Sequence, residues 1–154
     1  MFVRVSQRLI LTFPDIRFAI SKNWNGTQSI PLAVKNASLL LNLLYYTNET
    51  FVLGHEYTFC DCENVLNNLH SEILDNIKHY NHHLLIDNFN TLNAWILENK
   101  PCPEIVKNIY SNILYTLYIC SPDISSDFLR DFKSLKSEIY NYKSFQTLSD
   151  YMLV

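Results

Sequence analysis

At 154 residues the chain has the size of one domain and is long enough to bury roughly 70% of the surface its unfolded form exposes. A composition of 48% hydrophobic and 18% charged residues, with a formal net charge of −3, excludes a disordered polyelectrolyte. Two glycines and five prolines supply too few turn-formers for a many-stranded sandwich or barrel, so long helices with short connections are expected.

The N-terminal stretch MFVRVSQRLILTFPDIRF carries Arg4 and Arg8 through its first apolar run and ends in no small-residue cleavage site, so it does not read as a signal peptide. No run of roughly 18 apolar residues follows anywhere, and a cytoplasmic chain with no membrane contact is expected. Val3, Val5, Leu9, Leu11 and Phe13 alternate with polar residues at the period of a half-buried strand. Pro14 and Asp15 punctuate, and Ile16, Phe18 and Ile20 alternate again, which predicts a β-hairpin over residues 1–20. Because a lone hairpin is marginal, it has to pack on helices.

Helical spacing begins after Ser29. Pro31 in a first turn and Leu32, Leu39, Leu40, Leu43 and Leu44 predict a core helix, and a short edge strand pair is expected around Gly54. Val65, Leu66, Leu69, Ile73 and Ile77 predict the next helix, followed by a solvated connection at HYNHH. Leu85, Phe89, Leu92 and Ile96 form another stripe, closed by Pro101 and Pro103. Ile105, Val106, Ile109, Tyr110, Ile113, Leu114, Leu117 and Tyr118 give the most regular stripe in the chain. Phe128, Phe132, Leu135 and Ile139 mark a last long helix before a short one through Phe145, Leu148 and Met152. The expected fold is therefore α+β and predominantly helical: five to six helices with a small N-terminal β-hairpin, as one domain over 1–154 with a helical body over 30–153.

Residues 54–83 hold Cys60 and Cys62 in a C-x-C pair and all five histidines, the ingredients of a metal site. Structural zinc sites typically space paired ligands two to four residues apart. Here one residue separates the cysteines, and a helix of about 25 Å lies between Cys62 and His79. Asp61 as a helix N-cap, with the cysteines packed as small hydrophobes, explains the same residues, so neither metal nor any other cofactor is expected. His70, one position beyond Leu69, reads as a boundary residue. Neither a nucleophile elbow nor a P-loop nor H-E-x-x-H occurs, and a non-enzymatic protein is expected. Tyr110, Tyr115 and Tyr118 share a helix that interleaves no basic residues among them, so nucleic-acid binding is not expected.

The charge is laid out unevenly. Residues 1–47 carry five basic and one acidic residue, 48–104 two basic and nine acidic, and 105–154 five of each. A solvated helix face accounts for acidic residues in general, but an acidic segment this lopsided also repels nucleic acid and steers a basic protein surface toward it. The residues expected to meet such a partner are Glu63, Glu72, Asp75, Asp87 and Glu98 as carboxylates, with Trp95 as a desolvated anchor. In type, the chain is similar to immunity proteins that neutralise basic, nuclease-type toxins. The similarity lies in size, acidity and expected location, and no motif carries a residue over. Two other classes compete: a viral Bcl-2-like bundle that lays a partner helix in a groove, and a Cys/His metal protein.

Overall fold

The computed structural model describes residues 11–12, 17–21, 30–47, 49, 51–54, 63–120 and 128–152. The chain groups into two compact units, Met1–Thr58 and Phe59–Val154. In the first, strand β1 (Phe18–Ser21) leads to helix α1 (Ile30–Leu43), a 3-10 turn (Leu44–Tyr46) and strand β2 (Phe51–Gly54). The strands pair in parallel, with Phe18 opposite Phe51 and Ser21 opposite Gly54. Parallel neighbours need a crossover of a dozen or more residues, and α1 supplies it. Arg17 Nη1 donates to the carbonyl of Leu44 at 2.7 Å, tying the start of β1 to the end of the helix. Gly54 lies so close to α1 that a Cβ there would stand 2.7 Å from Leu40 Cδ2.

The hairpin over residues 1–20 is corrected by this arrangement. Its proposed turn at Pro14 and Asp15, and residues 1–10 of its first strand, lie outside the described residues, while Leu11 and Thr12 are helical. Ile20 does belong to a strand, but the strand's partner is β2, some thirty residues downstream. Alternation in sequence reports that one face is buried and says nothing of which segment pairs, or in which direction. The helix expected over Leu32–Leu44 forms, yet it packs on β1 and β2.

In the second unit, α2 (Glu63–Lys78), α3 (His82–Asn99), α4 (Pro103–Cys120), α5 (Phe128–Asn141) and α6 (Phe145–Met152) follow one another, so the described residues hold six α-helices. Each stripe delivers its core: Leu66, Ile73 and Ile77 from α2, Phe89, Leu92 and Ile96 from α3, Val106, Ile109, Tyr110 and Ile113 from α4, then Ile139, Phe145 and Leu148. Helix α4 packs against both α2 and α5. Ser111, buried on the side away from Ile113, turns its hydroxyl onto the Lys107 carbonyl at 2.8 Å, so a polar residue is satisfied within the helix.

The ends of the helices have specific causes. α2 ends in a Schellman arrangement, with the Asn81 N–H on the Asn76 carbonyl at 2.9 Å and the Tyr80 N–H on that of Ile77 at 3.1 Å. The left-handed position usually given to glycine is held by Tyr80, at φ 57°. Lys100 does the same at the end of α3, with φ 46° and its N–H on the Ile96 carbonyl at 2.8 Å. The connection read at HYNHH is thereby shortened, since His82 and His83 already belong to α3. Pro103 opens α4, where its missing N–H costs nothing.

Candidate functional site

Glu72 and Asp75, three residues apart on α2, share the exposed side opposite Leu66, Ile73 and Ile77. Asp75 is partly neutralised: Lys78 Nζ lies 3.5 Å from its carboxylate, both side chains being exposed. One turn on, His79 Nδ1 donates to the Asp75 carbonyl at 2.8 Å. Asp87 and Glu98 stand on α3, eleven residues apart, which is three turns plus about 20°, so both occupy one exposed edge roughly 16 Å apart. Thr91 lies between them with its hydroxyl on the Asp87 carbonyl at 2.8 Å, so it presents little polarity outward. A three-residue connection makes α2 and α3 antiparallel neighbours. The carboxylates thus form two exposed pairs, one on each arm of a helical hairpin.

Glu63 is the first residue of α2 and lies about 18 Å along the helix from Asp75. Trp95 is half-buried, placed beside Leu92 and Ile96 at the margin of the core stripe, with Asn99 Nδ2 donating to its carbonyl at 3.0 Å. Its indole therefore contributes to packing, and only its outer edge borders the row of Asp87 and Glu98.

The second unit also holds a polar chain that sequence reading missed. Tyr110, fully buried, donates its hydroxyl to Asn93 Oδ1, and Asn93 Nδ2 donates to Ser149 Oγ at 2.9 Å. α4, α3 and α6 are joined through one amide. Asn93 neither takes nor gives up a proton near neutral pH, so Ser149 gains no base from it, and this trio holds the helices in register. Phe89 and Phe145 flank the Tyr110 ring, each with its centroid 6.4 Å away. The signal in sequence was a tyrosine inside an apolar stripe, which has to find a partner when buried.

Helices α4 and α5 meet through aromatic and lysine contacts. Tyr115 meets Phe132 edge-on at 4.9 Å, Lys107 Nζ donates to the Tyr140 carbonyl at 2.8 Å, and Lys136 Nζ stands 5.9 Å from the Tyr140 ring centre. Tyr140 donates its hydroxyl to Asn108 Oδ1. With Lys133 exposed one turn before Lys136, this face is positive where α2 and α3 are negative.

His70 is half-buried on α2, its Nε2 has no hydrogen-bond partner, and burial pushes its pKa below the usual 6.5. Among the described residues no three His, Cys, Asp or Glu side chains come together in a way that could hold a metal ion, while Cys60 and Cys62 lie outside those residues. Among the described residues no helix is long and apolar enough to cross a membrane.

A parallel β-α-β unit and a five-helix unit with an acidic helical hairpin are what the fold defines. No protein-family model, curated protein or solved structure matches the chain.

Proposed function

We propose that the chain is a non-enzymatic, cytoplasmic protein-binding module, and that it acts as an immunity protein whose acidic α2–α3 hairpin covers the basic, phosphate-binding surface of a nuclease-type toxin. The observation that carries the proposal is the excess of nine acidic over two basic residues across 48–104, with Glu72, Asp75, Asp87 and Glu98 all exposed on two neighbouring helices. Carboxylates so placed pair with the lysines and arginines that otherwise hold substrate phosphate, and they attract the partner over distances of a Debye length, about 8 Å at physiological salt. A toxin blocked in this way loses access to nucleic acid without any chemistry on the inhibitor's side.

Surface plasmon resonance against the product of the neighbouring gene, with hen lysozyme as a basic non-cognate control, tests this. Association should slow steeply as salt rises, and more slowly for the Glu72→Lys/Asp75→Lys double variant, because rim charges act on the on-rate. An on-rate unaltered by the double reversal at low salt removes the α2 face from the interface.

A further inference from the structure

α5 ends at Asn141, and the next residue begins the turn that leads to α6. There the Tyr142 N–H donates to the Ile139 carbonyl at 3.3 Å, so the backbone keeps its helical course long enough to set Tyr142 one turn after Glu138 on the same side. α6 brings Tyr151 back against it, with the two ring centroids 5.4 Å apart and the rings inclined at 40°. Both tyrosines are half-buried, and Glu138 is exposed. Desolvation first, and then the Glu138 carboxylate, raises the pKa of both phenols above the usual 10, and the Tyr142 hydroxyl is hydrogen-bonded to that carboxylate. Among the described residues Glu138 forms no ion pair, which leaves its carboxylate able to accept a phenolic proton. One other pair of tyrosine rings comes this close among the described residues: Tyr45 and Tyr46, at 5.1 Å. Those two are chain neighbours standing nearly perpendicular, at 85°; Tyr45 is 6% exposed, and burial raises its phenol with no carboxylate contributing.

We propose that Tyr142 and Tyr151 form an oxidative modification site, at which a peroxide-driven one-electron oxidant joins the two rings by a carbon–carbon bond while Glu138 accepts the Tyr142 proton. The co-reactant is hydrogen peroxide turned over by a haem peroxidase, which withdraws one electron from each phenol. An oxidised phenol is a strong acid, so its electron leaves more readily where a base already holds the proton, as Glu138 does for Tyr142. Tyr151 loses its own electron to the second oxidising equivalent and its proton to water. The two neutral phenoxyl radicals carry unpaired spin on the ring carbons ortho to oxygen, and the bond forms between those carbons. Each joined carbon then gives up its hydrogen as a proton while its oxygen regains one, which restores both phenols. Two hydrogens leave the pair in all, and one hydrogen peroxide becomes two waters. Rotation of side chains this exposed takes picoseconds to nanoseconds, so rings already in contact can align before either radical is lost. The bond fastens α6, whose Phe145 and Leu148 are buried in the core, to the end of α5. It uses no residue of the acidic hairpin and stands apart from the function proposed above.

Treating the full chain with a haem peroxidase and hydrogen peroxide, dilute enough that copies rarely collide, is the test. The expected product is a monomer with dityrosine fluorescence. Trypsin cuts after Lys136 and Lys143, so the cross-link should appear as residues 137–143 joined to 144–154, two hydrogens lighter than the separate peptides, with fragmentation placing it on Tyr142 and not on Tyr140. Tyr142→Phe and Tyr151→Phe keep the rings and their packing, and each should abolish that product with an unchanged circular dichroism spectrum. Glu138→Gln keeps both phenols and should slow the product's formation at least about threefold, less than the roughly 10²–10⁴-fold of a general base in an active site because this carboxylate is exposed. A chain that yields no intramolecular dityrosine, a cross-link mapped to another pair, or a Glu138→Gln rate equal to the native one overturns the proposal.

Discussion

Tyr80 shows how one residue reconciles a strained backbone with a distant contact. A left-handed conformation outside glycine costs about 1 kcal/mol, yet this position sits where α2 has to turn back into α3. The hydroxyl offsets part of the cost by donating to the Cys120 carbonyl, 3.1 Å away at the end of α4. Tyr80→Phe keeps the φ angle and loses that bond, so urea denaturation should show a loss of about 0.5–1 kcal/mol, the low end for an exposed hydrogen bond. Asn93 is a more costly residue to remove. Asn93→Ala leaves the buried Tyr110 hydroxyl without its acceptor, and a destabilisation of about 1–3 kcal/mol is expected from the same measurement. His70 sets a pH dependence. Burial favours its neutral form, so between its lowered folded pKa and 6.5 the unfolded chain binds more protons than the folded one. Its contribution is complete above pH 6.5 and is lost as pH falls through that window. The urea midpoint should drop more between pH 7.5 and pH 5 for the native chain than for His70→Gln, and equal drops in both would remove His70 as the cause.

At the scale of elements, close approaches decide which substitutions are tolerated. β2 meets α1 through Gly54, whose missing Cβ leaves room for the Leu40 side chain. Gly54→Ala forces Leu40 off its position, and Gly54→Val adds two more carbons in the same place. Overpacking of a buried contact costs typically 1–3 kcal/mol, so thermal melts should rank native above alanine above valine. Helix boundaries were legible in the sequence wherever proline or a sharp end of periodicity marked them, as at Pro101 and Pro103. They were not legible at HYNHH, because a Schellman turn built on tyrosine carries no glycine to announce it. Pairing of strands was equally hidden. The alternation through Phe18 and Ile20 registers a half-covered strand, while its partner depends on where α1 returns the chain.

For the whole molecule, the charge distribution separates binding from folding. Glu72 and Asp75 are exposed, and neither caps a helix, so reversing both to lysine should change stability by within about 0.5 kcal/mol each while slowing association with a basic partner. Truncating Trp95 does the opposite: as a half-buried neighbour of the α3 core it should lower stability, and binding has to be read with folding monitored in parallel. By itself the sequence determined the helical class, the apolar stripes of α2 through α6 and the acidic segment, because periodicity and charge are properties of contiguous residues. Only the tertiary structure decided that the strands pair in parallel, that Tyr110, Asn93 and Ser149 meet, that Lys107 of α4 reaches the Tyr140 carbonyl of α5, and that Ile30, Val34 and Leu41 of α1 are exposed. Each of these depends on segments far apart in the chain, and no local pattern records which distant segment buries a given face.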